Sequence, residues 1–245
     1  MITSVPPLDQ LPVISLEPEP NVKVWCVKIT EVMHHTCTPE SYHSLNSLRN
    51  VFFKKENFTI QFLSSPELDT VNRFKAGKKQ LEWMAGRFLI KQMAKANNDS
   101  ITPLDAIEIS HREKGAPFLA DFEGLGISIS HSGEYAAAAT CTERDRDIGL
   151  DIEKIKSLPG TSFLNTAFTG KEIDGMIQTP FEVFKRWTLK EAYLKYIKMG
   201  FNESLHKVEV FDQEILHHSE PADVSCFSTT IDEKYVLSLV SGPAL

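Results

Sequence analysis

The chain has 245 residues, 42% of them hydrophobic, enough to build one large core or two small ones and so to exclude disorder over most of its length. A formal charge of −7 argues against generic binding to nucleic acid or to an anionic membrane. The four cysteines (Cys26, Cys37, Cys141, Cys226) lack CxxC spacing, no apolar run reaches about 18 residues, and no basic region precedes an apolar block at the N-terminus. Zinc ribbons, membrane-spanning helices and export are disfavoured, and a cytoplasmic protein with buried free thiols is expected.

Residues 1–21 carry Pro6, Pro7, Pro12, Pro18 and Pro20, which remove ladder donors and interrupt helices, so an extended arm is expected there. Val22 to Ile29, VKVWCVKI, reads as a strand. A helix is expected from near Pro66, and a longer one over 79–96 with Leu81, Met84, Phe88 and Lys91 along one face. Around it, Arg73, Lys75, Lys78, Lys79, Arg87, Lys91 and Lys95 stand against the single acid Glu82, either a solvated helix face or a landing site for phosphates or an acidic partner. A strand at 106–111, a turn at 114–117 and a hairpin of 126–130 with 135–141 follow.

The second half echoes the first. Trp83, Arg87, Ile90 and Lys91 recur at the same spacing as Trp187, Glu191, Leu194 and Lys195. Phe62 to Glu67 is echoed by Phe168 to Glu172, and the strand opening at Tyr135 by one opening at Tyr235. Three echoes in one order predict a duplication. The expected fold is α+β: two similar lobes in a pseudo-two-fold arrangement, each a small antiparallel sheet packed on a long helix. The expected division is an arm over 1–21, an N-terminal lobe over 22–146 and a C-terminal lobe over 147–245, in a monomer that is internally a pseudo-dimer.

The helix of the second half is written into TPFEVFKRWTLKEAYLKYIKMG. Thr179 is placed to cap it, with Pro180 in the first turn and Glu182 completing a capping box; Gly200 is placed to end it in a left-handed conformation. Phe184, Thr188, Glu191 and Lys195 share one stripe of a helix that is apolar on most other sides, which predicts burial. Upstream, IGLDIE puts Asp151 and Glu153 on one face of a strand, because side chains two apart point the same way.

If Asp151, Glu153 and Glu191 converge, their repulsion is about 4 kcal/mol per pair at about 4 Å and an effective dielectric near 20, and a hard divalent cation relieves it. Oxygen ligands favour Mg²⁺, with Mn²⁺ an alternative, and Mg²⁺ completes its shell with water and phosphate oxygens, so a phosphate substrate is expected. Lys195, one turn beyond Glu191, is placed as a second cation on a departing phosphate. In SISHSG, Ser130 and His131 lead out of a strand and offer hydroxyl, imidazole and backbone groups to a phosphate.

Four blocks together resemble a known family: Gly149, Asp151 and Glu153 as G-x-D-x-E; Trp187, Thr188, Lys190, Glu191, Ala192 and Lys195 as W-[ST]-x-K-E-[AS]-x-x-K; Ser128 to Ser132 as [NS]-I-S-H-S; and Ala85, Gly86, Arg87 with Lys91 four on. The chain resembles the 4′-phosphopantetheinyl transferases of the surfactin-synthetase-activating, two-lobed monomeric type. The resemblance implies transfer of the phosphopantetheine arm of coenzyme A to a serine of an apo acyl carrier protein or peptidyl carrier domain, with release of adenosine 3′,5′-bisphosphate.

It further implies Asp151, Glu153 and Glu191 as magnesium ligands, with Asp151 also near the pyrophosphate. Arg87, Lys114, Ser130 and His131 are implied as coenzyme contacts, His131 at the 3′-phosphate. Lys195 is implied to steady the pyrophosphate, and Glu172 to lie near the carrier serine. Either Glu191 or a metal-bound water serves as base. Family members often read G-K-P where this chain has Gly115-Ala116-Pro117, so Lys114 or Lys79 has to supply that charge. The rival expectations are a Mg²⁺-dependent phosphodiesterase or nuclease, and a non-catalytic module that binds coenzyme A and carrier proteins.

Overall fold

A computed structural model describes residues 11–36, 62–97 and 102–245, and Cys37 lies outside them. The described N-terminal half contains strands β1 (Ile14–Glu19) and β2 (Val22–Lys28), helices α1 (Ile29–Thr36), α2 (Ser65–Arg73) and α3 (Gly77–Asn97), and strands β3 (Ile109–His111), β4 (Pro117–Leu119), β5 (Gly126–Ser132) and β6 (Tyr135–Cys141). The C-terminal half contains β7 (Arg146–Lys154), helices α4 (Thr161–Ala167), α5 (Gly170–Asp174) and α6 (Pro180–Tyr196), and strands β8 (Val208–Phe211), β9 (Glu214–His217), β10 (Glu220–Pro221), β11 (Ser225–Ile231) and β12 (Tyr235–Pro243).

The principal sheets are antiparallel, β1-β2-β6-β5 and β11-β12-β7, with smaller sheets β10-β9-β8 and β3-β4. Strand alternation sorts their side chains. On β6, Ala136 and Ala138 face a core that holds Leu81, Met84 and Phe88 of α3, while Ala137, Ala139 and Cys141 face a second core. That second core joins the lobes: Val22, Val24 and Cys26 of β2 meet Ile148, Leu150 and Ile152 of β7 and Leu237 and Leu239 of β12. Beyond it, Leu189, Ala192 and Tyr193 of α6 pack with Val208, Val210 and Val240. The order is therefore helix, sheet, sheet, helix, an α+β fold of two similar lobes with a shared centre.

The seam is stitched through side chains. β5 and β7 run side by side with no ladder between them; instead the hydroxyls of Ser128, Ser130 and Ser132 accept the backbone N–H groups of Leu150 (2.9 Å), Ile152 (3.3 Å) and Lys154 (3.1 Å). Each partner advances two residues as the serine does, so the strands are parallel here, and one face of β5 serves as the ladder.

Several expectations need correction. The proline-bearing arm is in part an edge strand: Ile14 to Glu19 pairs with β2, and its register shifts between Leu16 and Glu19, the stretch that holds Pro18. An edge strand has donors free of any ladder, so proline is tolerated there. Residues 1–10 lie outside the described ones. The strand expected over 106–111 begins only at Ile109, after a 3-10 turn at Leu104–Ala106.

Helix α6 is half-boxed at its start: the Thr179 hydroxyl accepts the Glu182 N–H (3.3 Å), but the Glu182 carboxylate turns to Arg186 (3.0 Å). Its end comes before Gly200. Lys198 takes the left-handed conformation (φ 57°), donating its N–H to Lys195 O, while the Met199 N–H reaches Leu194 O, the paired closing bonds of a Schellman motif. The run from Arg73 to Lys95 is not one face. Arg73, Lys75, Lys78 and Lys79 are exposed, whereas Arg87 and Lys91 are buried.

Candidate active site

The alternation on β7 decides the site. Ile148, Leu150 and Ile152 face the shared core, so Gly149, Asp151 and Glu153 face α6. Gly149 is what lets the helix come close: a Cβ there would stand 1.9 Å from Ala192 O and 2.4 Å from Tyr196 N. The close approach brings Lys195 onto the strand, its ammonium donating to Asp151 Oδ1 (2.8 Å) and Leu150 O (2.8 Å). Ser130 donates to the same Asp151 oxygen (2.7 Å) and Ser132 donates to Glu153 Oε2 (2.7 Å).

Asp151 Oδ2, by contrast, is buried and has no hydrogen-bond partner. Burial, reinforced by the charges of Asp151 and Glu153 and opposed by Lys195, pushes the Glu191 carboxyl up to about 7. Burial also raises Glu153, against the hydrogen bond from Ser132. These shifts describe acids close enough to repel and short of positive charge. Their oxygens do not gather as tightly as the 4.8 Å that encloses the donors of Glu203, His217 and His218 elsewhere in the molecule. Lys195, held on one Asp151 oxygen, compensates part of the cluster.

Beside Lys195 opens a cavity of about 270 Å³, lined also by Arg112, Lys114, Pro117, Phe118 and Lys198. Asp147 also lines it and pairs with Lys198, and Lys195 is held on Asp151, so Arg112 and Lys114 beside the Phe118 ring are what suit the cavity to an anion carrying a planar group. Lys114 stands at its lip, with its Nζ 2.8 Å from Met199 Sδ. His131, on the opposite face of β5 from the serines, has Nδ1 3.7 Å from Glu82 Oε2 of α3.

Asp151, Glu153, Glu191, Lys195 and Ser130 thus come together at one seam, and Lys114 borders the adjoining cavity. Arg87 is buried on the helix side: its guanidinium lies 3.3 Å from the Trp83 ring centre and its Nε 3.6 Å from Glu67 Oε1, an ion pair in which neither of those two atoms makes a hydrogen bond. Glu172 is fully buried, boxed with Thr169 and paired with Lys190 (2.8 Å), and accepts the Val210 N–H, so it has no exposed face to offer a carrier serine. Lys79 is exposed near the Phe74 ring, 5.1 Å from its centre. The sequence reading overlooked the structural part played by Ser128 and Ser132, although Ser-x-Ser-x-Ser on a strand is itself a period-two signal. It also gave no part to Glu82, which no spacing ties to His131.

Residues 147–240 match the 4′-phosphopantetheinyl transferase superfamily, and residues 53–143 match the N-terminal region of 4′-phosphopantetheinyl transferases. A holo-[acyl-carrier-protein] synthase of Streptococcus uberis is 32% identical over 108 residues, 91% of its length and 42% of this chain. The chain belongs to the 4′-phosphopantetheinyl transferase superfamily. Other phosphopantetheinyl transferase relatives include the L-aminoadipate-semialdehyde dehydrogenase-phosphopantetheinyl transferase of Xenopus laevis, 32% identical over 51% of this chain and 46% of its own. A 4′-phosphopantetheinyl transferase of Nostoc is 29% identical over 65% of this chain and 68% of its own. The chain spans about half the length of the animal relatives it matches. The C-terminal superfamily match contains Asp151, Glu153, Glu191 and Lys195; the N-terminal match contains Arg87, Lys114, Ser130 and His131.

Proposed function

We propose that this chain transfers the 4′-phosphopantetheine arm of coenzyme A to a serine of an apo acyl carrier protein or peptidyl carrier domain. The observation that carries the reading is the seam itself: acids of β7 and α6 that Lys195 compensates only in part, beside a cavity bordered by Arg112 and Lys114.

The residues suit a hard divalent cation. Asp151 Oδ2 is an enclosed acceptor without a donor, the acids available are all oxygen ligands, and the repulsion that raises Glu191 is what a cation relieves. Asp151, Glu153 and Glu191 would hold Mg²⁺, or Mn²⁺ in its place. Such an ion supplies charge neutralisation at the diphosphate and at the leaving bisphosphate.

The chain's own groups do the rest. Lys195, together with Lys114 and Arg112 at the cavity, binds phosphate oxygens, and Lys114 takes the part of the lysine missing at Ala116. Ser130 fixes the Asp151 carboxylate so that its second oxygen remains available. His131 contacts the 3′-phosphate. The carrier serine oxygen attacks the phosphorus that bears the pantetheine arm, the bond from that phosphorus to the bridging oxygen breaks, and adenosine 3′,5′-bisphosphate departs. The serine proton passes to Glu191, or to a water beside it.

Both lobes of one chain furnish the site, which supports a monomer divided near Arg146, where the two family matches meet. Among the described residues no helix is long and apolar enough to cross a membrane, and Cys26 and Cys141 are buried free thiols; both fit the cytoplasm. Incubation with coenzyme A, Mg²⁺ and an apo carrier protein tests the reading. The expected result is a carrier heavier by one phosphopantetheine and an equal amount of released adenosine 3′,5′-bisphosphate. An unchanged carrier with coenzyme bound would show a binding module, and a cleaved oligonucleotide a nuclease.

A further inference from the structure

On the other side of α6 from the carboxylates, three metal-ligating side chains converge that the proposed transfer does not use. Glu191 and Tyr193 are two residues apart on the helix and so point to nearly opposite sides. On the Tyr193 side stand Glu203, in the segment just beyond α6, and His217 and His218, at the turn between β9 and β10. One donor atom from each lies within 4.8 Å of the others. We propose that Glu203, His217 and His218 form a binding site for zinc or a similar borderline cation.

His217 stands at the spacing such an ion needs, and the exposed His218 slightly beyond it. With metal–nitrogen and metal–oxygen bonds of about 2.0–2.2 Å, tetrahedral donors stand about 3.3–3.5 Å apart. His217 Nε2 lies 3.5 Å and His218 Nε2 3.9 Å from Glu203 Oε2. Two imidazoles and one carboxylate are a zinc-type donor set; magnesium, which takes oxygen ligands, would not select it.

Each donor is positioned by something else. Glu203 Oε1 accepts the Ser204 N–H (2.8 Å) and faces Lys207 (3.4 Å), which leaves Oε2 turned toward the histidines. The His217 ring is held edge-on by Tyr193, with centres 5.5 Å apart, and its Nε2 is enclosed without a hydrogen-bond partner. His218 is anchored by its own N–H, which donates to Lys207 O (2.8 Å).

The turn itself is unusual for these residues. His217 pairs with Glu220, so His218 and Ser219 form a two-residue turn in which both take positive φ, 54° and 67°, a place ordinarily filled by Asn and Gly. This conformation sets the two imidazoles side by side, ring centres 4.5 Å apart. Glu203 and His217 also border a cavity of about 470 Å³, which leaves room for a water as fourth ligand. An ion here would tie the β9–β10 turn to the chain just after α6. Because Lys198 and Gly200 of that same segment line the anion-suited cavity, the ion would brace the catalytic helix from behind without touching substrate.

Equilibrium dialysis against Zn²⁺ in saturating Mg²⁺ tests the site, with the Asp151→Ala variant alongside so that zinc in the carboxylate cluster is recognised. The expected result is one zinc per chain in the wild type and in Asp151→Ala, and none in the His217→Ala/His218→Ala double variant. Zinc should also raise the thermal midpoint of the wild type but not of the double variant. Should the double variant fail to fold, Glu203→Gln alone should weaken zinc at least tenfold. No zinc held by the wild type under Mg²⁺, or zinc held as tightly by the His217→Ala/His218→Ala variant or by Glu203→Gln as by the wild type, overturns the proposal. Neither result bears on phosphopantetheine transfer, which is measured separately.

Discussion

The two lobes repeat one structural device and differ in what they leave unsatisfied. In the N-terminal lobe, Ser64 and Glu67 form a capping box at the start of α2, and Glu67 accepts a bond from the fully buried Lys91 of α3, which also donates to Phe62 O (2.9 Å). In the C-terminal lobe, Thr169 and Glu172 form the same box at the start of α5, and Glu172 pairs with the fully buried Lys190 of α6, which also donates to Ala167 O (2.8 Å). Even the aromatic brace recurs, Trp83 against Phe74 and Trp187 against Phe163.

The lysines, however, do not correspond by spacing from the tryptophan: Lys91 follows Trp83 by a longer interval than Lys190 follows Trp187. The position that matches Lys91 by spacing is Lys195, and it goes to Asp151 instead. One lobe therefore turns its cations inward, with Lys91 bonded to Glu67 Oε2 and Arg87 ion-paired at 3.6 Å with Oε1, where neither atom makes a hydrogen bond. The other uses Lys190 for the same structural purpose and frees Glu191 and Lys195 to meet the acids of β7. What the pairing teaches is that a duplicated frame acquires chemistry where its charges are left open.

The largest expected effect separates chemistry from frame. Asp151→Ala should lower carrier modification by about a thousandfold, close to 4 kcal/mol in the barrier, with the circular dichroism of the wild type retained. An active variant would remove chemistry from the open seam. Next come the two closed pairs. Lys190→Met strands the buried Glu172 and should cost about 3–5 kcal/mol in denaturant unfolding, and Lys91→Met, which leaves Glu67 with Arg87 at 3.6 Å, should cost toward the lower end of that range. Similar losses sharpen the comparison, and a loss in one lobe only would break it. Lys91→Met should keep its activity per folded molecule.

A smaller effect is expected at the close approaches. Gly149→Ala drives a methyl into the α6 backbone and should cost about 3 kcal/mol, lowering activity as well because it moves Glu191 and Lys195 away from Asp151. Gly86→Ala meets the Ile129 side chain at 2.6 Å and should cost about 1 kcal/mol, without a comparable loss of rate.

The smallest effect is the pH dependence of the protein in chelator. With Glu191 raised from its ordinary 4.5 to about 7, the folded chain holds more protons than the unfolded chain between those values. Stability should therefore fall as pH rises through that window, by roughly 1–2 kcal/mol after screening, and level off above it. Thermal melts of Glu191→Gln should lose most of that slope; an unchanged slope would assign it to other groups.

Much of the site was legible because it depends on local periods. Asp151 and Glu153 share a strand face by the period of two, and Glu191 and Lys195 share a helix stripe by the period of 3.6. Where tertiary packing chooses the partner, the sequence misled. Arg87 and Lys91 read as members of a basic run, yet their partner Glu67 lies on another helix and takes both inward. Glu172 read as a site acid because nothing near it in sequence announces Lys190. The end of α6 was misplaced for a related reason: Gly200 suits a left-handed cap, but the carbonyls to be closed lay nearer Lys198. The proline arm hid a strand because proline forbids a central strand and not an edge.

The central claim is that the open lobe holds the cation and the closed lobe does not. Calorimetric titration of Mg²⁺ into the protein with coenzyme A present addresses it directly. One ion per chain is predicted for the wild type and for Glu67→Gln, with binding abolished in Asp151→Asn while the fold persists. Equal magnesium affinity in Asp151→Asn would contradict the account.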